Sequence, residues 1–241
     1  MSDYLARIQE LLQEAYSTEK MAIERIAAVM TDRLAKGGIV QLFGCGHSNL
    51  IAQEPFYRAG GLVPVMPINS EPIMLHNGAV QASVNEKDTD VSKEIVKNLT
   101  FGKYDTLIVI SNSGRNPAPI EVARAASTSG IYTVGILSRN YTADSHPSRH
   151  HSGLRLEEVV DDSLNNHSPV GDGILTTNSH QLYGSSSSIL GIALLNAVLT
   201  QVIRLTEKQG IEPPVFKSGN DDDSQEHNEK LVQRYSDRIQ F

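Results

Sequence analysis

The chain holds one cysteine, Cys45, among 241 residues, so an internal disulfide is impossible. It is short of basic residues: 21 Lys and Arg against 28 Asp and Glu leave a net charge of −7. A bulk nucleic-acid binder needs a basic face, and none is expected here. A small anionic ligand stays compatible, because oriented backbone dipoles hold anions on acidic proteins. Long hydrophobic runs are also missing. The longest apolar stretch, Ile189 to Leu199, contains Asn196 and is too short to span a bilayer. Met1-Ser2-Asp3-Tyr4-Leu5 has neither the basic start nor the apolar core of a secretory leader. No Gly-x-Ser-x-Gly and no Gly-Lys-Ser/Thr occurs, and Gly44-x-Gly46 is followed by Leu50-Ile51 where a dinucleotide fingerprint has a third glycine. Serine hydrolases and nucleotide-binding sites are therefore disfavoured. The expectation is a cytoplasmic protein with no membrane and no nucleic-acid partner.

What is present fits one large α/β domain. The hydrophobic fraction is 39%, about 46% with glycine, which is the ordinary globular range. Leu5, Ile8, Leu11, Leu12, Ala15, Ile23, Ile26 and Ala27 recur at helical spacing, so residues 3–36 read as one long helix closed by Gly37-Gly38. Residues 39–43 are a buried strand, followed by a helix to Ala59 and a Gly60-Gly61 stop. Residues 63–68 form a second strand weakened by Pro64 and Pro67, and 71–88 carry no clear period. A helix is read over 91–99, the clearest strand over 105–110, a helix over 119–127 and a strand over 131–137. Residues 139–153 are a polar loop, 155–182 short segments and turns, 185–207 a strong helix and 226–239 a last helix. Strand and helix alternating at this spacing mean a parallel sheet with crossover helices. We divide the chain into an N-terminal helix, 1–36, a main domain, 37–210, and an extension, 211–241, belonging to the same unit.

Two turns carry the chemistry. Gly44-Cys-Gly-His-Ser48 and Ser111-Asn-Ser-Gly-Arg-Asn116 each follow a buried strand and open a helix. In a parallel sheet such turns share one edge, beyond the strand C-termini, where ligands bind. Glycine permits left-handed angles and close approach, the following helix presents free N–H groups, and Ser48, Ser111 and Ser113 add hydroxyl donors. Either turn alone reads as a tight corner. Together they describe a neutral, donor-rich cradle for a phosphate.

With Ile110 before it and Pro117 after it, the second turn, like the first, resembles the signature turns of the sugar isomerase (SIS) domain family, and the likeness extends through Gly184 to Ser188. Glu54-Pro-Phe-Tyr-Arg-Ala-Gly-Gly61, Ser168-Pro-Val-Gly-Asp172 and Pro213-Pro-Val-Phe216 look like a bacterial subgroup labelled phosphoheptose isomerase. The resemblance implies a three-layer fold with a five-stranded parallel sheet flanked by helices, here with helical extensions at both ends. It also implies a phosphosugar ligand and a homodimer or homotetramer whose subunits complete each other's sites. The contacts it carries over are Ser48, Ser111, Ser113 and Asn116, with backbone from Gly46 and His47; it brings Ser186 and Ser187 near the sugar, where a helix cap would equally occupy them.

Aldose–ketose isomerisation needs a base beside the reacting carbon, an acid for the carbonyl oxygen and stabilisation of negative charge. Glu54, inside an apolar stretch, and His76 are the candidates for the base, and His180 for the acid. Arg58 could equally pair Glu54 at i+4. Heptose isomerases place a metal-binding histidine close to Glu54, so the chain departs from them there. His47 could touch the sugar or cap its helix, and Cys45 packs under its turn rather than attacking. Glu226-His227 could reach a neighbouring site but reads as solvated helix. No cofactor is expected, and no metal: His146, His150 and His151 share a loop, but adjacent histidines diverge on any regular element. Three functions stay open, namely an isomerase, an etherase of a 6-phospho amino sugar and a phosphosugar sensor. Convergence of Glu54, His76 and His180 would favour an enzyme, and their separation a sensor.

Overall fold

The computed structural model describes residues 3–241. Met1 and Ser2, within the segment where no leader was read, lie outside them. Helix α1, Asp3–Ala35, covers nearly the whole stretch with helical spacing. It leads into β1, Val40–Gly44, and the short α2, His47–Gln53. The helix expected to reach Ala59 ends early, because Pro55 has no N–H for another turn and Tyr57 takes a positive φ of 47°.

Strand β2, Val65–Pro67, is only three residues long. It sits at the sheet edge, where the missing N–H groups of Pro64 and Pro67 break no inner ladder. Residues 71–88 fold as two 3₁₀ turns and α3, Ala79–Asn85. Then come α4, Thr89–Lys97, β3, Thr106–Ile110, α5, Pro117–Thr128, and β4, Tyr132–Leu137. One turn of helix, α6, Asn140–Ala143, breaks the expected loop. It is followed by β5, Asp162–Asn165, and by β6, Gly173–Thr176, paired antiparallel with β7, Leu182–Ser185. Helices α7, Ser187–Lys208, and α8, Ser224–Tyr235, end the chain.

The main sheet is parallel throughout, in the order β2-β1-β3-β4-β5. Alternation along β3 divides the core. Ile108 and Ile110 face one cluster with Met30 of α1 and Leu195 of α7; Leu107 and Val109 face another with Ile95 of α4 and Ile120 of α5. Helices on both faces make three layers, and β1 and β3 are buried along their whole length. By length and composition α7 could cross a bilayer, with a mean hydropathy of 1.7, but Leu190, Leu194, Leu195, Val198 and Val202 are buried in the core.

The C-terminal segment is held to the sheet. Val63 donates to the Pro214 carbonyl (2.9 Å) and Phe216 to that of Gly61 (3.1 Å). Asp105, fully buried, accepts bonds from the amides of Ile39 and Gly102 and from Gln41, and pairs with Arg238 at 2.7 Å.

The chain leaves β1 toward β2 on one side and returns to β3 on the other. The β1/β3 boundary is thus the point where strand order reverses, and a crevice opens beyond the carboxyl ends of such strands. Gly44 and Ile110 are register partners, so the two glycine- and serine-bearing turns start side by side.

Candidate functional site

Sterics shape both turns. A Cβ on Gly44 would stand 2.4 Å from the Ser48 carbonyl oxygen, so only glycine lets α2 start this close to β1. Gly114 holds a φ of +61° and donates its amide to the Ser111 carbonyl at 3.0 Å, which closes the second turn.

Between the turns lies a cleft of about 200 Å³, lined by Cys45, Ser48, Glu86, Ser111, Asn112, Ser113, Asn116 and Tyr141, with Ile110 and Pro119. Among the described residues, the hydroxyls of Ser48, Ser111 and Ser113 hydrogen-bond no other side chain or backbone group. Three hydroxyls without protein partners on one small, half-open surface are ready donors for an oxyanion. Another hollow, of about 120 Å³, lies among Thr31, Leu62, Thr206, Pro214 and Arg234, and both its threonine hydroxyls are spent on helix carbonyls.

Glu86 and Tyr141 are the titratable groups in this wall that sequence reasoning missed, and Glu86 is its one carboxylate. It follows α3, in the stretch without a clear period, and its backbone carbonyl accepts the Ala118 amide at 3.3 Å. That bond docks the segment onto the start of α5 and turns the carboxylate toward the second turn, where Asn116 Nδ2 donates to Oε1 at 2.9 Å. Burial raises the Glu86 pKa, and the positive charges of Lys87 and Arg149 only partly oppose it. Burial likewise raises the Cys45 thiol well above its ordinary value, with a contribution from Glu86, so it stays protonated.

Behind the second turn stand three arginines. Arg155 donates to the Ser113 carbonyl (2.6 Å) and pairs with Glu157 (2.7 Å). Arg149 donates to Asn116 Oδ1 at 3.2 Å. Arg115 has its Nε buried without a partner, and desolvation together with Arg149 and Arg155 lowers its pKa.

The cleft brings together Ser48, Ser111, Ser113 and Asn116 of the expected contacts. Gly46 spends its amide on the Ile73 carbonyl (3.0 Å), and His47 is exposed on the outer side of its turn. Neither lines the cleft. Ser186 and Ser187 are held by Asp172, whose carboxylate accepts their amides at 2.9 and 2.6 Å. The Ser187 hydroxyl donates to the same carboxylate, and the Ser168 hydroxyl adds a further bond. An internal carboxylate thus occupies the two serines at the start of α7, which were expected either near the sugar or in a helix cap. Burial pushes the Asp172 pKa up, but these bonds together outweigh it and leave it lowered.

The three expected acid–base groups do not converge. Glu54 closes α2, pairs with Arg58 at 2.7 Å and accepts from Asn196 at 3.0 Å. His76 is exposed in the 3₁₀ turn Leu75–Asn77, and His180 is exposed at the tip of the β6–β7 hairpin with a φ of 64°. The loop histidines behave in the opposite way. His150 and His151 lie on an irregular turn, so the divergence expected on a regular element does not apply, and their ring centroids are 4.1 Å apart.

A family model described as "SIS domain" matches residues 3–138. The UPF0309 protein of Geobacillus thermodenitrificans is 45% identical over 240 residues, 99% of this chain and 96% of the relative. A Lysinibacillus sphaericus relative named "UPF0309 protein in nagA 3'region" is 44% identical, covering 100% of this chain and 98% of its own. Among solved structures, the phosphoheptose isomerase of Neisseria gonorrhoeae superposes with a TM-score of 0.55 at 18% identity, over 83% of this chain and 95% of that one. The NanR protein of Vibrio vulnificus, complexed with ManNAc-6P, gives 0.51 at 17% identity, over 97% of this chain and 66% of that one. At such identities the two structures speak to the fold.

Proposed function

Because this chain belongs to the SIS domain family, we propose that it binds a sugar phosphate in the β1/β3 cleft and interconverts its aldose and ketose forms through an enediolate. The phosphate is taken by the hydroxyls of Ser48, Ser111 and Ser113. Glu86 removes the proton from the carbon next to the carbonyl and returns it to the adjacent carbon. The Tyr141 hydroxyl, in the same wall, protonates the carbonyl oxygen and takes back the proton that the neighbouring hydroxyl gives up. One observation carries this reading: a half-buried carboxylate with a raised pKa shares a small cleft with three hydroxyls that have no partner among the described residues. A base whose pKa is lifted toward neutrality is matched to abstracting a carbon-bound proton near pH 7.

The separation of Glu54, His76 and His180 favours a protein that binds a phosphosugar without turnover, as does a wall with one carboxylate and no histidine; Glu86 is the observation in favour of the isomerase, and the test separates the two. The purified protein is screened by thermal shift against fructose, glucosamine, sedoheptulose and muramic acid phosphates, each beside its unphosphorylated form. Stabilisation by the phosphorylated member alone is expected. Equal shifts with and without the phosphate refute the cradle. Bound sugars are then incubated in deuterated water. Deuterium entering the carbon beside the carbonyl supports the isomerase, and binding with no exchange leaves the sensor. Self-association belongs to the same reading: Leu50, Val80 and Val84 are exposed apolar side chains, and sedimentation measures whether copies pair.

A further inference from the structure

Outside the cleft, on the far side of the second turn, one carboxylate and two imidazoles share a point. Glu121 lies on α5, one turn beyond its start, and His150 and His151 lie on the loop before β5. His150 Nε2 is 2.6 Å from Glu121 Oε1, and His151 Nδ1 is 3.7 Å from the same oxygen. One ligand atom from each residue falls within a single sphere, all within 4.8 Å of one another. The His150 side chain is fully buried, whereas His151 is 63% exposed, so the trio is anchored inside and open to solvent on one side. The loop is internally fixed as well: the Ser148 hydroxyl accepts the His150 amide at 3.0 Å and donates to the Leu154 carbonyl at 2.7 Å.

We propose that Glu121, His150 and His151 bind a zinc ion, with water as the fourth ligand. Two imidazole nitrogens and one carboxylate oxygen are a zinc donor set, and three protein ligands leave one tetrahedral position to solvent. Zinc sits about 2.0–2.1 Å from such ligands, which requires the Glu121 carboxylate to draw back from His150 by less than an ångström. That movement is open to a side chain 21% exposed. Coordination through Nε2 needs the tautomer with its proton on Nδ1, where the Ser152 hydroxyl, 2.7 Å away, accepts it, and the Ser152 amide gives up its 3.2 Å contact with that nitrogen. A fixed partner on the second ring nitrogen is the usual outer support of a ligating histidine. The consequence reaches the cleft: Arg149, next in the chain, donates its amide to Arg115 and its guanidinium to Asn116. The metal would clamp to α5 the loop that holds this arginine against the cleft wall. The inference does not depend on the proposed isomerisation.

The test uses the full chain without a histidine tag, stripped with chelator and titrated with zinc by calorimetry and with cobalt by visible absorption. One equivalent per chain is expected, with a higher melting temperature in zinc and tetrahedral cobalt bands without thiolate charge transfer. His151→Ala removes an exposed ligand, so its fold is retained, and it should weaken binding at least tenfold; Glu121→Gln should do the same. His146→Ala, in the same loop but outside the trio, should bind as wild type. Absence of saturable one-to-one binding, wild-type affinity in His151→Ala, or an equal loss in His146→Ala would each overturn the proposal.

Discussion

Replacing Glu86 by glutamine separates gripping a phosphosugar from moving its proton. The substitution keeps the shape and an oxygen to accept the 2.9 Å bond from Asn116, and it removes the base. The serine hydroxyls are untouched, so phosphosugar affinity should stay within a few-fold of wild type. Exchange of the carbon-bound proton with deuterated water, followed by NMR, should fall by about 10²–10⁴, the usual contribution of a positioned base. In the wild type the exchange rate should climb with pH and level off above the raised pKa of Glu86. Stability moves in a direction that can be worked out. A carboxyl whose folded pKa lies above its unfolded value of about 4.3 binds its proton more tightly when folded. Native stability therefore falls as pH rises from the unfolded value through the folded one. The variant carries no such penalty, so its melting temperature relative to wild type should rise with pH across that window. Exchange in E86Q within tenfold of wild type would refute the assignment of the base. A loss of affinity as large as the loss of exchange would make Glu86 a ligand contact instead.

Ser113→Ala should weaken phosphosugar binding by about 10–100-fold, the worth of a hydrogen bond to a charged group, with the melting temperature of the free protein unchanged. A collapse in that temperature would make Ser113 a structural corner. Gly44→Ala places a Cβ 2.4 Å from the Ser48 carbonyl oxygen and should cost about 1–3 kcal/mol in urea unfolding; wild-type stability would mean that the turn yields freely. Asp172→Ala strips the acceptor from the Ser186 and Ser187 amides and should cost about 1–2 kcal/mol at pH 7. Because the folded Asp172 pKa is lowered, that advantage exists above the unfolded value of about 3.9 and shrinks as pH falls through the folded one. A variant as stable as wild type at pH 7 would remove the capping role.

Periodicity located the elements whose burial is local to the chain. The apolar rows of α1 and α7 and the run in β3 announce themselves because each element buries a continuous face. The corners were legible for a related reason: Gly44 and Gly114 sit where backbone geometry admits little else, and serines between a strand and a helix have a small repertoire. The base proposed here was not legible. Glu54 drew notice as a charge in an apolar stretch, but its i+4 partner Arg58 satisfies it at the rim of α2. Glu86 stands among Asn85, Lys87 and Asp88, in the stretch that carries no clear period. What turns it inward is a bond between its backbone carbonyl and Ala118, more than thirty residues away, and no pattern in the sequence encodes that. The histidine pair failed in the opposite sense, because the expected divergence held only for regular elements and the chain makes an irregular turn there.

For an acidic chain to grip an anion as proposed, its positive charge must stand in the right place rather than in excess. Net charge is −7, yet Arg115, Arg149 and Arg155 stand together behind the second turn, and mutual repulsion lowers the Arg115 pKa beyond what desolvation does. Glu157 neutralises Arg155. Glu86 is close enough to feel Arg149, and burial raises its pKa. The cluster is thus undercompensated from within, and a dianion at the serine hydroxyls would supply the missing charge. Such a ligand gains Coulomb energy from groups it does not touch, and the arginines' repulsion is relieved at the same step. The two carboxylates of greatest consequence then take opposite parts. Asp172 occupies the amides at the start of α7 with an internal carboxylate, whereas the serine hydroxyls of the β1/β3 cleft stand without a partner among the described residues and are where the proposed dianion would be held.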